Sequence, residues 1–375
     1  MDYSKINIFS LWLIILAFSV VLIILIGGYT RISDSGLSIT EWQPLSGILF
    51  PITEHSWILE FEKYKLIDEF KLINASMTLS EFKFIYFWEW FHRAFARLIG
   101  FIYIFPLIYL LLKKHINKKY YLSIFTIGVL LSLQATVGWY MVKSGLYGRV
   151  DVSQYRLALH LTLAFIILGL IAHTYIKVKI DQGKYLSLGG YEKNRRVVIA
   201  VFIFIFFQIA YGAFVSGTDS GLLYNTWPLY NGTLLPEITF LNTTIKYLFF
   251  ENGDFIVFFH RTFAFFLLIV VVYLNFLIFK SRNSRAAKVI LLYFDIFLIL
   301  QVILGIVMTY FNIPWYIALM HQGNSIILYL ISIFMITLSS KVIKFSNWEN
   351  LFMQRLMHFL NHLIYRQCAL FQLTT

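Results

Sequence analysis

Cysteine is nearly missing. The 375-residue chain has one, Cys368, close to its C-terminus, which excludes an intrachain disulfide, an iron–sulfur cluster and a cysteine zinc site. Redox chemistry in this chain therefore needs another cofactor. Charge is scarce as well: 13% of residues are charged, against 59% hydrophobic and 19% aromatic, and the charged share is about half that of a globular protein. A soluble enzyme is excluded and an integral membrane protein is implied, with membrane lipid as its surroundings. The formal net charge of +12 would suggest nucleic acid in a soluble protein. Here the Lys and Arg stand in short clusters between apolar runs, where they set orientation, so no nucleic-acid partner is expected.

Eight runs, about 8–28, 91–112, 120–142, 156–177, 197–217, 255–279, 289–311 and 316–340, are close to the roughly 20 residues that cross the hydrocarbon core as a helix. The expected fold class is an all-α membrane protein with eight transmembrane helices. Loop 113–119 carries Lys113, Lys114, Lys118 and Lys119, loop 178–196 carries five basic residues, and loop 280–288 carries Lys280, Arg282, Arg285 and Lys288. These loops are expected to face inward. Segment 29–90 has nine acidic residues to five basic, and 218–254 has four to one, so these face outward. Both termini then lie inside, in agreement with Lys341 and Lys344. The first run has only Lys5 before it and no small-residue cleavage site, so it reads as a retained span rather than a signal peptide. With no transit peptide ahead of that span, a bacterial plasma (inner) membrane is expected rather than a mitochondrial one.

The chain repeats itself. Asp34-Ser35-Gly36-Leu37 followed by Trp42 recurs 185 residues later as Asp219-Ser220-Gly221-Leu222 followed by Trp227. His92-Arg93 with Phe95-Ala96 matches His260-Arg261 with Phe263-Ala264 at a shift of 168; Gln134 with Gly138 matches Gln301 with Gly305 at 167; His160 matches His321 at 161. Four marks in one order predict two tandem four-helix bundles, 1–190 and 191–344, followed by a tail at 345–375. Because each half has an even number of spans, both enter the membrane from the same side, as a parallel repeat. The Asp-Ser-Gly turns are expected to shape a lid over each half, with Gly36 and Gly221 permitting positive φ. Trp42, Trp57, Trp88, Trp90 and Trp227 are read as interfacial anchors.

Of nine histidines, four stand at matched places near the outer ends of even-numbered spans: His92, His160, His260 and His321. A lone His near a helix end is usually an interfacial residue; four at matched places point to ligands. Two imidazoles at equal depth and no thiolate suit a planar metal macrocycle held from both faces, hence a bis-histidine haem in each half, whereas zinc wants three or four converging ligands. Arg93 and Arg261 either meet haem propionates or anchor their helices at the interface. The repeat breaks at Glu89, which shares a helical face with His92 and has Val257 in its place in the second half. It is either a general base or charge stabiliser beside the haem, or a loop carboxylate balancing Arg93 or Arg97. Arg97, unmatched where Phe265 stands, is expected to pair with Glu89 or a propionate. Asp295 is expected to be protonated, to lie near the inner rim or to serve a proton path, and Gln134 and Gln301 to hydrogen-bond between helices.

These residues resemble the haem A synthase family. The resemblance rests on Gly28-Tyr29-Thr30-Arg31 with Asp34-Ser35-Gly36-Leu37, on Glu89-Trp90-Phe91-His92-Arg93, on Gln134-Ala135 with Gly138-Trp139, on His160, on Asp219-Ser220-Gly221-Leu222 with Trp227-Pro228, on His260-Arg261 and on Met320-His321-Gln322. It covers about residues 8–340 and implies an oxidoreductase that converts the C8 methyl of haem O to a formyl group, through hydroxylated intermediates, for cytochrome oxidase assembly. By the same resemblance, His260 and His321 ligate the iron of a permanent haem b, with Arg261 beside it. His92 and His160 hold the haem O iron and Glu89 is the catalytic carboxylate, which agrees with the asymmetry between the halves. Electrons leave by way of haem b to an acceptor the sequence does not name. A homo-oligomer, or a complex with haem O synthase, suits the transfer of an insoluble substrate. Some family members carry a cysteine pair in the first outer loop; this chain has none there and resembles the cysteine-free form of some bacteria and mitochondria. The tail 345–375, with Trp348, Leu351, Phe352, Leu356, Phe359, Leu360 and Leu363, falls outside the resemblance and reads as an amphipathic interfacial helix. Two rival classes are a di-haem b-type electron carrier, which would need ligands reaching both sides of the bilayer, and a repeated transporter with a midplane site.

Overall fold

Within hydrocarbon a backbone N–H or C=O is satisfied only inside a helix or a closed barrel, and the apolar runs all fold as helices. The computed structural model describes residues 3–43, 46–182, 191–238, 244–280 and 285–339. In chain order the helices are α1 (Tyr3–Ile32), α2 (Glu54–Tyr64), α3 (Asp68–Leu72), α4 (Leu79–Leu112), α5 (Tyr121–Val142), α6 (Gln154–Asp181), α7 (Arg195–Gly217), α8 (Ile245–Phe250), α9 (Gly253–Lys280), α10 (Arg285–Tyr310) and α11 (Trp315–Leu338). Eight of them, all but α2, α3 and α8, are long and apolar enough to cross a membrane, and there is no β-strand among the described residues. Lys341, Lys344 and the tail 345–375 with Cys368 lie outside the described residues.

Four helices make the centre: α1 packs on α6, α6 on α7, α7 on α11, and α11 back on α6 and α1. The other four spans lean on this group from outside, α4 on α1, α5 on α6, α9 on α7 and α10 on α11, while α4 and α5, like α9 and α10, scarcely touch each other. Tyr329 on α11 is fully buried. Its ring stands edge-on to Phe165 at 5.2 Å between centroids and tilted against Phe202 at 5.8 Å. Gly169 on α6 leaves room for the hydroxyl, since a methyl there would press on the Tyr329 Cζ at 3.1 Å. Tyr103 joins α4 to α5, its hydroxyl donating to the Ile124 carbonyl at 2.8 Å. In the second half Asn275 on α9 donates to Asp295 on α10 at 3.0 Å, so Asp295 has an amide partner inside the protein rather than a rim lysine or arginine.

The fourth helix departs from its expected start. It begins at Leu79, well before 91, because Thr78 and Glu81 form a capping box, the Thr78 side chain accepting from the Glu81 N–H and the Glu81 carboxylate accepting from the Thr78 N–H. The added turns carry Phe82, Ile85 and Tyr86 into a second apolar cluster with Trp57, Phe61 and Tyr64 of α2. Trp57 is therefore a core residue of an outer cap, correcting its reading as an interfacial anchor. The left-handed residue of each Asp-Ser-Gly turn is also corrected: Asp34 (φ 46°) and Asp219 (φ 51°) adopt it, rather than Gly36 and Gly221. Aspartate tolerates that region because its short carboxylate bonds locally. Here both carboxylates bond the Arg31 guanidinium, at 2.9 Å and 2.7 Å.

The cap buries Glu69, whose Oε2 accepts from the Tyr64 hydroxyl at 3.2 Å. Burial pushes the Glu69 carboxyl up to about 8, the Tyr64 bond opposing it and the negative charge of Glu89 adding to it. The fold thus favours the protonated acid. Its contribution to stability is fully present below the ordinary carboxylate range and is lost as pH rises through about 8. Thermal unfolding of the detergent-solubilised protein at about pH 5 and about pH 9 should show a higher midpoint in acid. Glu69→Gln should flatten that difference, and an undiminished difference would place its source elsewhere.

Candidate functional site

His92 comes from α4 and His160 from α6; His260 comes from α9 and His321 from α11. Each ring lies against a glycine of a neighbouring helix. A methyl on Gly27 of α1 would sit 2.9 Å from the His92 Cε1, one on Gly138 of α5 2.9 Å from the His160 Cε1, one on Gly212 of α7 3.4 Å from that of His260, and one on Gly305 of α10 3.2 Å from that of His321. Real Cβ contacts are rarely closer than about 3.4 Å, so the glycines let the Cε1 edge of each imidazole come up against the neighbouring helix.

The two pairs differ in what holds them. Gln134 of α5 donates through Nε2 to the His160 carbonyl at 3.0 Å and lies 3.2 Å from its ring Nδ1. Gln208 of α7 does the same to His260, at 2.9 Å and 3.2 Å. Gln134 thus bonds between helices as expected, but onto a candidate ligand. Gln301, its repeat match, accepts instead from Asn324 at 2.6 Å. Sequence reasoning missed Gln208, since its repeat position holds Ile23. The Nδ1 atoms of His92 and His321 are buried with no hydrogen-bond partner among the described residues, as are the Oε1 atoms of Gln134 and Gln208. Orphaned ring nitrogens, with no cluster of three or more His, Cys, Asp or Glu among the described residues, fit a group held by two imidazoles better than a zinc ion.

Next to each pair an arginine grips the segment that precedes its helix. Arg93 donates Nη2 to the Ile39 carbonyl at 2.9 Å and Nη1 to that of Glu41 at 3.2 Å. Arg261 donates Nη2 to the Tyr224 carbonyl at 3.3 Å and Nη1 to that of Thr226 at 3.1 Å. Tyr224 and Thr226 are Ile39 and Glu41 displaced by the same 185 residues as the Asp-Ser-Gly turns. The first half then adds a carboxylate. Glu89 is 3% exposed and takes Arg93 Nη2 on Oε1 at 2.5 Å, and the Ser38 hydroxyl and Ile39 N–H on Oε2 at 2.7 Å and 2.8 Å. The matched places hold Val257 and Leu223, and Val257 is packed in an apolar cluster with Tyr224 and Tyr230. Arg97 does not take Glu89; its Nη2 donates to the Gln43 carbonyl at 2.9 Å.

Between the halves Arg31 bonds Asp34, Asp219 and the Ser216 carbonyl and lies 3.7 Å from Asp151. Burial raises the carboxyls of Asp34 and Asp219 above their ordinary range, with Arg31 opposing.

A family model described as cytochrome oxidase assembly protein matches residues 10–333. The heme A synthase of Wolbachia pipientis wMel is 39% identical over 320 residues, covering 85% of this chain and 89% of that relative. The heme A synthase of Pelagibacter ubique is 39% identical over 331 residues, 86% of this chain and 94% of the relative. That of Rickettsia bellii is 39% identical over 317 residues, 84% of this chain and 94% of the relative.

The asymmetry of the two arginines has a measurable consequence. Arg93→Leu strands a buried carboxylate, which costs roughly 3–5 kcal/mol; Arg261→Leu removes only bonds to carbonyls, roughly 1.5–3 kcal/mol. Thermal midpoints in detergent should fall further for the first. An equal fall would mean that Glu89 draws no support from Arg93.

Proposed function

This chain belongs to the haem A synthase family, and we propose that it makes haem A for cytochrome oxidase assembly by oxidising the C8 methyl of haem O to a formyl group. The observation that carries the assignment of the chemistry to the first half is the anchored carboxylate of Glu89, one helical turn from His92 and replaced by valine in the second half. The chain is read as a multi-pass bacterial membrane protein of two tandem halves, 1–190 and 191–344, with both termini inside and the histidines toward the outer face. The matched arginine bonds and the four glycine–imidazole contacts support that reading.

In this reading His92 and His160 hold the iron of the substrate haem O. The imidazole of His160 keeps its orientation because Gln134 ties its carbonyl and covers its ring. Glu89 stands at a position set by Ser38, Ile39 and Arg93, so it cannot swing toward water. There its oxygens receive a proton as the methyl is oxidised, or stabilise positive charge developing on that substituent. His260 and His321 would hold the haem b, which supplies one-electron redox chemistry when bound. Arg261, with Nη1 and Nη2 on loop carbonyls and its guanidinium 5.0 Å from the Tyr230 ring centroid, would supply positive charge to a haem propionate. Arg93 and Arg97 are the corresponding groups beside the substrate. The partners in this reading are haem O, membrane lipid, an electron acceptor, and either a second copy of the chain or haem O synthase.

Haem extraction and chromatography, from membranes containing a haem O source, test the assignment. Wild type should yield haem A, and Glu89→Ala and His92→Ala should leave haem O or a hydroxylated intermediate. If wild type holds haem in both halves and leaves haem O unaltered, the chain is a di-haem electron carrier. If Glu89→Ala still makes haem A at the wild-type rate, the carboxylate is structural only.

A further inference from the structure

The step Gly27-Gly28 in α1 touches both halves. Gly27 lies on the His92 ring, and Gly28 lies under the side chain of Gln322, the residue after His321: a methyl on Gly28 would come within 2.7 Å of the Gln322 Cδ and overlap its amide. Gln322 reaches from α11 to donate Nε2 to the Ile24 carbonyl of α1 at 3.0 Å. At the corresponding crossing, α7 against α6, the matched residues differ. Gly212 lies on His260 as Gly27 lies on His92, but the next residue is Ala213, and Leu161 follows His160 where Gln322 follows His321.

Resting on the haem b reading above, we propose that Gln322 is a positioning residue which ties the helix bearing His321 to the wall of the first-half site, so that α1 sets both histidine pairs at once. Two neighbouring residues of α1 then fix the His92 ring and the anchor of α11. Polar side chains reaching between helices hydrogen-bond membrane helices to one another. The angle of an axial imidazole tunes the potential of the iron it holds. Losing the bond from Gln322 to Ile24 lets the first turns of α11 turn, and with them His321. The effect should therefore appear at the second-half haem, although Gly28 and Gln322 are not ligands.

Gly28→Ala displaces only the end of a flexible side chain, so the fold survives it, and Gln322→Leu removes the same hydrogen bond without crowding. Purified full-length protein carrying its haem should keep wild-type haem content in both variants. Redox titration and electron paramagnetic resonance of the haem lost in His260→Ala should show a changed axial signature and a midpoint moved by about 59 mV, a tenfold change for a one-electron couple. The double variant should move it no further than either single one, because both act through one bond. Leu161→Ala, on α6 beside His160, should leave it unmoved. An unmoved midpoint in Gly28→Ala and Gln322→Leu, or additive shifts in the double variant, would overturn the positioning role. Haem content unchanged by His260→Ala and by His321→Ala would instead refute the haem b reading on which it rests.

Discussion

Close approach of an imidazole to a helix backbone is the contact on which the rest of this molecule depends. A histidine ring inside a helix bundle can press this closely on a neighbouring helix only if that helix gives up a side chain at that level. The chain does this four times, with Gly27, Gly138, Gly212 and Gly305, each on a different helix. These contacts also account for the arrangement of the helices. An outer helix supplies one histidine of each pair and an inner helix the other, and the opposing glycines come from the remaining two helices of that half.

On this shared frame the halves are made unequal with few substitutions. The arginine grip on the outer loop is the same in both, bond for bond. Where the first half has Ser38 and Glu89 the second has Leu223 and Val257, and a hydrogen-bonded carboxylate gives way to an apolar plug beside Tyr230. The outer cap of α2 and α3 is likewise built on the first half. It extends α4 outward and encloses Glu69, so the half with the carboxylate at its centre also has the thicker cover.

Much of this was legible in the sequence, because periodicity and repetition are local signals. The eight spans followed from run length, and the four histidines, the two arginines and the unmatched Glu89 followed from the shifts between copies. Gln208 was not legible, since it replaces the role of Gln134 from a different helix and so breaks the register that revealed the rest. The positive φ at Asp34 and Asp219 depends on a guanidinium that the turn sequence alone does not bring. Trp57 read as an interfacial anchor because the cap that buries it is short, polar on one side and without a repeat partner. Arg97 and Glu89 looked like natural partners by charge; the intervening Arg93, one turn closer, takes the carboxylate instead.

Arg31 bears on how the two copies can be related. A pair of identical halves about an axis would bring an arginine from each to the same place, but the residue 185 positions on is Ser216, whose carbonyl accepts from Arg31. One guanidinium thus serves the aspartates of both turns. The like-charge conflict of a symmetric dimer is removed, and with it the interchangeability of the halves: neither copy, taken twice, would rebuild this junction.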